Sequence, residues 1–588
     1  MTFITELDGN LKKIITLHDN YSRINRMTKI KSIILPLFYL LFFCQSALAQ
    51  IPQQKYETRA VWLTTLNGLD WPKTKAVSPA SRERQKRELI AILDKYQELH
   101  LNTVLLQTRV RGSVIYPSSM EGWDPCLTGE PGKDPGYDPL KFAIDECHKR
   151  GLELHCWVVT IPSGNADVHK KLGNKSVTRT HPAICKKIKN YWYLDPGHPE
   201  TKEYLASVCA EMTRKYDIDG IHFDFIRYTE NSANTLDRDS YRRYGRGQNL
   251  ADWRRNNITA CVRAMYKAIK AIKPWVKVTC APLGKYRDTD RFSSTGWNGY
   301  NKVYQESQRW LREGIMDAVY PMIYYKGNHF YPFVRDWLEN SYGRPAVPGL
   351  GIYFLHPSEG NWVLADVQRE MNYCRSLGLG VAHYRSKFLT DNTKGLYDWC
   401  KKVYYPYPAL VPGMTWQTKE VPNAPASINV RYSGNGAELD WSDVSDTKNN
   451  TYVTYNVYRS ENKVVNINIP QNLVAARLLK SEFRDTKTDK KYYYAVTAVN
   501  RFGNESSPLQ SVSAPNEGPS DVEYAHGQVI LAPVNNVRSV QINDLSGRVI
   551  KEVPYSTNIE VTELEPGSYQ VVFITQDNRR LPAGIFFK

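Results

Sequence analysis

The sequence predicts an α/β protein: a (β/α)8 barrel followed by two all-β sandwich domains. Three observations favour this fold class. Between Thr58 and Tyr407, eight apolar strand-like runs alternate with helix-like stretches. No Gly-rich phosphate turn follows the first run, although the alternative fold, a doubly wound open sheet, usually has one there. After Pro408 the chain shows strand patterns without helix patterns.

Length and composition bound the possible classes of protein. The chain has 588 residues, too many for one typical domain, with 42% hydrophobic and 23% charged residues. These proportions exclude a disordered, collagen-like or polytopic membrane protein. The 77 basic and 60 acidic residues give a net charge of +17, but the excess is spread widely and no nucleic-acid-binding motif accompanies it. We therefore expect no nucleic-acid partner.

Residues 1–49 have the pattern of a secretory signal peptide. The eleven-residue apolar run Ile33–Phe43 follows two lysines and precedes Ala47–Ala49, which has the small-residue spacing of a cleavage site. Met27 stands at a suitable distance before the run and is a candidate for the true start. Eleven apolar residues are too few to span a bilayer comfortably, so no stable membrane span is expected. The sequence predicts an exported protein that is periplasmic, at the cell surface or extracellular.

The barrel domain is predicted over residues 50–415. Its eight strand-like runs are, in order, Arg59–Thr64, Asn102–Arg109, Leu152–Thr160, Gly220–Ile226, Val276–Ala281, Asp317–Tyr324, Val347–Tyr353 and Gly380–Tyr384. The amphipathic, helix-like segments between them include Ser81–Glu98, Pro139–Arg150, Thr201–Tyr216, Asp252–Ile272, Tyr304–Arg312 and Leu364–Ser376. In such a barrel the carboxyl ends of the strands carry the reactive groups, so we expect the functional residues at those positions.

Two all-β domains are predicted after the barrel, over residues 420–515 and 516–588. In the first, period-two strands such as Tyr455–Arg459 and Tyr492–Asn500 resemble those of a fibronectin type III domain. In the second, Val540–Val549 and the strand patterns that follow it resemble a C-terminal secretion-sorting β domain.

The fourth strand-like run is the most informative for function. Because successive strand residues face opposite sides, Asp224 shares the barrel-facing side with Gly220 and His222. Three bulky residues are expected to face the helices instead: Ile221, Phe223 and Phe225. Asp224 lies at the carboxyl end of the strand, where a buried carboxylate is costly unless it is paired. Asp224 can stabilise or attack an oxocarbenium ion in glycoside cleavage. The alternative is a structural role, in which Asp224 caps the following loop or pairs only with Arg227.

Other strand ends add polar and aromatic side chains at the same mouth. We predict that a set of these orient Asp224 and contact the substrate: Arg109, His155, Trp157, Arg227, Tyr228 and Tyr324. Planar polar groups hydrogen-bond sugar hydroxyls, and aromatic faces stack on the apolar faces of sugar rings. Each residue also has a structural explanation, since inward histidines and tyrosines often fill barrels. The joint pattern favours a glycan-binding mouth.

Glycoside hydrolysis normally needs a second carboxyl group, about 5–5.5 Å from the first for retention of configuration and about 6.5–9.5 Å for inversion. The sequence does not give this distance. The first candidate for the acid is Glu359, after the seventh run. Asp124 and Glu121, on the loop after the second run, are the others. A solvated loop carboxylate is the competing interpretation of each.

Five motifs, in this order, resemble those of the glycosyl hydrolase-like 10 family: Tyr56–Thr65, Gln107–Arg111, Leu194–Glu200, Asp219–Tyr228 and Asp317–Tyr325. The resemblance covers residues 55–405. It implies a TIM barrel and a glycoside hydrolase, and some members are linked to bacterial cell-wall glycan. It also implies that Asp224 is the best-placed catalytic carboxylate. Two positions depart from the family pattern: Phe225 stands where many relatives have a second acidic residue, and Met322 where many have glutamine.

The sequence therefore predicts an exported glycoside hydrolase that cleaves O-glycosidic bonds of an oligosaccharide or polysaccharide, with Asp224 and Glu359 as its catalytic carboxyl groups. The alternative is a catalytically inactive glycan-binding scaffold. No metal or organic cofactor is implied, because no cluster of ligands has suitable spacing. The nine cysteines that would follow the signal are scattered and indicate buried thiols. The sequence does not indicate the oligomeric state.

Overall fold

The computed structural model of the chain describes residues 52–433, 436–446, 451–486, 492–511, 522–531, 534, 536–544 and 547–588. The predicted signal segment 1–49 lies outside the described residues, as does the domain boundary predicted at residues 515 and 516. From Gln54 onward the chain forms one unit, and all elements below belong to it.

Eight parallel strands form one sheet in the first part of this unit. They are β1 (Arg59–Leu63), β2 (Thr103–Arg109), β3 (Glu153–Val159), β4 (Gly220–Asp224), β5 (Lys277–Cys280), β6 (Ala318–Val319), β7 (Gly349–Leu350) and β8 (Val381–His383). From β1 to β6, sequence neighbours are sheet neighbours, and β8 and β7 continue the sheet beyond β1. The parallel bridges Val319–Ala346 and Met322–Gly349 bring its two edges together. This arrangement is consistent with the predicted (β/α)8 barrel, called the barrel below.

Every predicted strand-like run contains one of these strands, so this part of the prediction is confirmed. The strands β6 and β7 are shorter than predicted, with two residues each. A proline lies close to each of them, Pro321 just after β6 and Pro348 directly before β7. Because proline has no amide hydrogen to donate to a sheet, it limits the length of both strands.

Helices cover the barrel between successive strands. They are α1 (Pro79–Glu98), α2 (Pro139–His148), α3 (Pro199–Lys215), α4 (Leu250–Lys270), α5 (Ser307–Arg312), α6 (Tyr331–Glu339), α7 (Leu364–Ser376) and α8 (Leu396–Trp399). Shorter helices lie in the loops: Pro125–Thr128, Ala166–Leu172, Val177–Thr180, Ala233–Ser240, Gly299–Lys302 and Ser386–Thr390. The helices α1, α2 and α3 each begin with a proline. The side chain of the residue before that proline accepts a hydrogen bond from a backbone N–H group in the first turn. None of the helices in the described ranges combines the length and apolar character that crossing a bilayer requires.

Successive side chains of a barrel strand point alternately toward the helices and into the barrel, so the strands contribute to two separate hydrophobic clusters. In β2, Val104 and Leu106 belong to the large cluster between sheet and helices, whereas Leu105 belongs to a small cluster inside the barrel. In β4, Ile221 and Phe223 also face the helices. The predicted alternation is therefore confirmed for these positions. The nine cysteines of the described chain are buried free thiols, also as predicted.

A small antiparallel sheet that the sequence analysis did not predict lies in the connection between β3 and α3. Its strands, in spatial order, are Pro162–Asn165, Tyr191–Leu194 and Cys185–Ile188. The first of these begins three residues after the end of β3. The sheet therefore stands at the carboxyl end of the barrel, where it adds a wall with aromatic side chains.

Antiparallel sheets make up most of the described chain after Pro408. One group consists of a three-stranded sheet (Ile428–Ser433, Gly436–Trp441, Glu482–Asp485), a four-stranded sheet (Leu473–Leu478, Thr454–Ser460, Tyr493–Val499, Leu509–Gln510) and a pair (Ser445–Asp446, Thr451–Tyr452). The last group consists of a three-stranded sheet (Val522–Ala525, Gln528–Leu531, Asn558–Glu560) and a four-stranded sheet (Val549–Pro554, Val537–Asp544, Ser568–Thr575, Arg580–Phe587). These sheets agree with the predicted all-β regions, while their assignment to particular domain families stays a prediction.

Candidate active site

Asp224, the last residue of β4, lies inside the mouth of the barrel. Its Oδ2 accepts a hydrogen bond from Trp157 Nε1 at 3.1 Å, and its Oδ1 accepts one from the backbone N–H of Phe225 at 2.7 Å. The residue is 5% exposed. Burial raises the pKa of this carboxyl group, while the charge of Arg227 and the two N–H donors act in the opposite direction. The barrel thus holds both carboxylate oxygens in fixed positions.

The chain turns sharply directly after Asp224. Phe225 has a φ of 51°, in the left-handed region that residues other than glycine rarely adopt. Because of this turn Phe225 does not pack toward the helices, as predicted, but lines a cleft. Arg227 follows, with its guanidinium carbon 4.4 Å from the centre of the Phe225 ring. The turn therefore brings the loop side chains beside Asp224.

Two arginines supply positive charge near Asp224. Arg227 is 7% exposed, and its Nη1 has no hydrogen-bond partner among the described residues. Burial lowers the pKa of Arg227, and the negative charges of Asp224 and Glu230 oppose this effect. Arg111 is half-buried and donates from Nη1 to the Tyr191 hydroxyl at 2.6 Å. Arg227 Nη1 is thus a buried donor whose N–H groups have no acceptor among the described residues.

A cleft of about 390 Å³ lies next to Asp224: Phe225, the residue that follows it, and Arg227 line the cleft, whereas Asp224 itself is not among the lining residues. Its walls come from the loop after β2, the small antiparallel sheet and the loop after β4: Arg111, Ile161, Pro162, Tyr191, Tyr193, Phe225, Arg227, Tyr228, Thr229 and Glu230. A cleft of this size with aromatic and charged walls suits part of a saccharide chain.

Tyrosines from later strand ends form a second aromatic group at the mouth. The rings of Tyr324 and Tyr384 stack with their centres 5.2 Å apart, and Tyr353 packs edge-on against both at 5.9 Å. The Tyr324 hydroxyl is buried and has no hydrogen-bond partner in the described chain. Burial, Tyr384 and then the charge of Asp224 raise the pKa of Tyr324 well above its ordinary value. Tyr324 therefore lies near Asp224 with an unused hydroxyl group.

Arg109 does not lie at the mouth, as the sequence analysis predicted. A bulge at Thr108 shifts the register between β2 and β3, so that Arg109 pairs with Val158. Arg109 thereby turns to the helix-facing side, where it is fully buried and pairs with Glu121 at 2.6 Å. The predicted contact of Arg109 with Asp224 and the sugar is wrong, because one extra residue in a strand reverses the direction of the side chain.

His155 faces the barrel interior but lies below the mouth. It is fully buried, and its Nε2 is 3.2 Å from Glu153 Oε2. Gly220 leaves room for its ring, since a Cβ at that position would lie 2.7 Å from His155 Cγ. Trp157, two residues nearer the mouth, is the side chain of β3 that reaches Asp224. The structure therefore corrects His155 from a substrate contact to a residue that fills the barrel.

Tyr228 borders the cleft but is only 1% exposed. Its ring packs edge-on against Tyr304 at 5.5 Å, and the guanidinium carbon of Arg254 in α4 lies 5.5 Å from its centre. Nearly all of its surface is therefore in contact with protein. The structure places Tyr228 as a support of the cleft wall.

Two of the predicted candidates for the second carboxyl group are engaged in structural contacts. Glu121 pairs with Arg109 and also accepts a hydrogen bond from the Tyr204 hydroxyl at 2.6 Å. Asp124 is buried and caps the short helix that follows it, accepting from the backbone N–H of Cys126 at 2.7 Å. Neither carboxylate faces the cleft beside Asp224.

Glu359 lies on the exposed loop after β7. Burial and then the charge of Glu359 raise the pKa of Tyr353 to about 12, which places this carboxylate near the tyrosines of the mouth. It does not line the cleft beside Asp224, and its role as the acid stays a prediction. Within the ranges that the structure describes, no three His, Cys, Asp or Glu side chains gather as a metal ion would require.

Several residues that line the cleft were not among the predicted contacts, including Arg111, Tyr191, Tyr193 and Glu230. The aromatic alternation at residues 191–193 was the available signal for the tyrosines, but their position depends on a sheet formed within a long loop. The signal for Glu230 was its place in the loop that begins at Asp224.

A larger cavity, of about 520 Å³, lies at the other end of the barrel. It is bounded by the loops at residues 97–102 and 148–153 and by residues 474–483 of the C-terminal sheets. Charged groups at this end pair with one another, as Arg477 Nη2 does with Asp219 Oδ1 at 2.8 Å. We therefore place the candidate active site at the smaller cleft beside Asp224.

Comparisons with known proteins indicate the class of protein to which this barrel is similar. Glycosyl hydrolase YngK of Bacillus subtilis (strain 168) is 33% identical over 481 residues, which are 77% of this chain and 92% of that protein. Glycosyl hydrolase DigH of Escherichia coli (strain K12) is 35% identical over 307 residues, 49% of this chain and 69% of that protein. The class to which these relatives belong is that of the glycoside hydrolases.

The profile described as glycosyl hydrolase-like 10 matches residues 57–338. Together with the extent of the YngK match, this shows that the chain belongs to the glycosyl hydrolase-like 10 family. Among solved structures, alpha-L-fucosidase isoenzyme 2 from Paenibacillus thiaminolyticus aligns with a TM-score of 0.40 and 15% identity, covering 59% of this chain and 49% of that one. The PgaB (BpsB) glycoside hydrolase domain from Bordetella bronchiseptica aligns with a TM-score of 0.41 and 12% identity, covering 58% and 98%. Likenesses this distant say nothing further about this chain.

Proposed function

We propose that the chain is an exported glycoside hydrolase that cleaves O-glycosidic bonds of an oligosaccharide or polysaccharide. The observation that carries this proposal is the position of Asp224. It is a buried carboxylate at the carboxyl end of a barrel strand, held by two N–H donors and adjacent to a cleft. In a barrel enzyme this is where the reacting atoms lie.

In this proposal Asp224 stabilises, or forms a bond with, the sugar carbon that becomes positively charged as the glycosidic bond breaks. Because water is largely excluded from Asp224, its charge acts more strongly on that carbon than an exposed carboxylate would. Trp157 fixes the direction of the carboxylate through its N–H group. The free N–H of Arg227 and the free hydroxyl of Tyr324 bind sugar oxygens.

Bacterial cell-wall glycan is the substrate that we propose first, because the motifs resemble those of relatives linked to it. We also propose that residues 1–49 direct export of the chain. Residues 420–515 would form a fibronectin type III domain, and residues 516–588 a secretion-sorting domain. Their support is the sequence patterns, with which the antiparallel sheets of the described C-terminal region are compatible.

The test is hydrolysis of a panel of glycans by the purified chain, with new reducing ends as the readout. The panel contains peptide-free peptidoglycan strands, chitin oligosaccharides, xylan and mannan. We expect cleavage of at least one of them by the wild type and none by Asp224→Asn. Turnover that survives this substitution would refute the assigned role. Binding by both proteins with cleavage by neither would favour the inactive scaffold.

A further inference from the structure

We propose that Glu230 is the second catalytic carboxyl group and that it gives the proton to the departing glycosidic oxygen. This inference rests on the proposed function, since it assigns a role within the same site. Glu230 stands six positions after Asp224, on the loop that follows β4. Its side chain lines the cleft together with those of Arg227 and Phe225.

Arg227 connects the two carboxylates electrostatically. The negative charges of Asp224 and Glu230 both act on its guanidinium group and oppose the effect of burial on its pKa. Asp224 is on the buried side, at 5% exposure, whereas Glu230 is exposed on the solvent side. A saccharide that binds beside Arg227 therefore has one carboxyl group toward the barrel and another toward the solvent. Two carboxyl groups that flank the bond are what glycoside hydrolysis requires.

Other buried acids at this end of the barrel already have structural partners. Asp70 accepts hydrogen bonds from the backbone N–H groups of Thr64 at 2.9 Å and Lys387 at 3.0 Å, and it pairs with Arg385. Glu121 and Asp124 are engaged in the ion pair and the helix cap described above. The carboxylate of Glu230 has no hydrogen bond or ion pair within the described chain, so it remains free to act on a ligand.

The positions of the two groups indicate which role each of them takes. Asp224 receives an N–H donor on each oxygen, and such hydrogen bonds favour the ionised form. Glu230 has no hydrogen-bond donor within the described chain and lies on the solvent side of the cleft. The positions assign the charged role to Asp224, on the barrel side of a bound saccharide, and the acid role to Glu230, on the solvent side where the departing sugar oxygen can leave.

The reaction then balances without a further reactant except water. The proton of the Glu230 carboxyl group passes to the glycosidic oxygen as the C1–O bond breaks, and the bonding electron pair stays with that oxygen. Asp224 stabilises the positive charge at C1 or bonds to it. Water adds to C1 and returns a proton to Glu230, which restores both side chains.

The test uses the full chain with Glu230→Gln and two substrates, peptide-free peptidoglycan strands and 2,4-dinitrophenyl chitobioside. Dinitrophenolate leaves without protonation, so a missing acid affects the two substrates differently. We expect the rate on the strands to fall by about 100-fold or more and the rate on the aryl glycoside by less than about 5-fold. The basic limb of the pH profile on the strands should also disappear.

Two further variants complete the design. Glu203→Gln, on the outer face of α3 with a 71% exposed side chain, is the matched control and should behave as the wild type does. Glu359→Gln tests the rival acid. A Glu230→Gln rate on the strands within 3-fold of the wild type, an equal loss on both substrates, or the leaving-group signature in Glu359→Gln would overturn the assignment of Glu230. Wild-type protein that cleaves no glycan of the panel would instead contradict the proposed function.

Discussion

Buried charged groups have different partners at the two ends of the barrel. At the amino end, Glu153 pairs with Lys277 at 2.6 Å, and Asp219 pairs with both His148 and Arg477 at 2.8 Å. Burial raises the pKa of Asp219, but the charges of His148 and Arg477 outweigh burial and hold this pKa well below its ordinary value. Because Arg477 belongs to the C-terminal sheets, these ion pairs also fasten that region to the barrel.

At the carboxyl end, buried polar groups remain without partners. Asp224 has no ion pair within 4.0 Å among the described residues, while Arg227 Nη1 and the Tyr324 hydroxyl lack hydrogen bonds there. Leaving such groups unsatisfied costs free energy, so a fold keeps them where a ligand completes them. The two ends therefore differ at one position: the acids of the amino end and Asp70 at the carboxyl end are balanced by ion pairs, whereas Asp224 is held by N–H donors without an ion pair.

The strongest test of this comparison is Asp224→Asn. We expect kcat/KM to fall by about 1,000-fold or more, because the charge opposite the forming cation is lost. Burial raises the pKa of Asp224 in the folded state, so its ionised form costs stability at neutral pH. The unfolding temperature should therefore stay unchanged or rise. A decrease of more than about 5 °C in calorimetry would show that Asp224 is a structural group and would remove the contrast.

At the opposite end, Arg477→Met should affect stability and leave activity unchanged. It removes one ion-pair partner of Asp219, while His148 remains, at a cost of about 1.5–3 kcal/mol in the free energy of unfolding. Urea titration measures this cost. The matched control is Arg484→Met, which removes a 72% exposed side chain and should change stability by less than about 0.5 kcal/mol. Equal effects of the two substitutions would contradict the structural role of the amino end.

The amino end should also lose its stabilisation in acid. Burial raises the pKa of Glu153, but the charge of Lys277 and its other neighbours hold it at about 2. A carboxyl group with a lowered folded-state pKa stabilises the fold above its unfolded-state pKa, about 4.3, and this contribution is lost as the pH falls through the folded-state value. We expect the free energy of unfolding to fall between about pH 5 and pH 2, less steeply in Glu153→Gln. Parallel slopes for the two proteins would disprove the assignment.

The smallest expected effect is that of Trp157→Phe. It removes one N–H donor from Asp224, which corresponds to about 10-fold in kcat/KM. Because that donor favours the ionised carboxylate, its loss should also raise the pKa of Asp224 and move the acidic limb of the activity profile to higher pH. Trp310→Phe, which removes a comparable hydrogen bond to Thr259 on the outside of the barrel, should leave the profile in place. A shift in both variants would indicate a general effect of repacking.

Much of the fold could be predicted from local patterns. The eight strands, the main helices, the inward direction of Trp157 and the place of Asp224 at a strand end follow from hydrophobic periodicity, which depends on residues close in sequence. The direction of Arg109 did not follow, because the bulge at Thr108 depends on pairing with β3. Phe225 also departed from the pattern, because the strand ends at Asp224, two residues before the end of the predicted run, and the chain turns at Phe225.

By itself the sequence determined the class of fold, the all-β character of the C-terminal region and the place at a strand end of Asp224, the carboxylate that we propose as catalytic. The tertiary structure alone decided which other side chains meet that carboxylate. It brought Glu230 and the tyrosines of the small sheet to the cleft, and it withdrew Arg109 and His155 from it. The physical reason is that periodicity sets the side of an element on which a residue lies, whereas contacts between distant segments depend on register, bulges and loop paths that no local pattern contains.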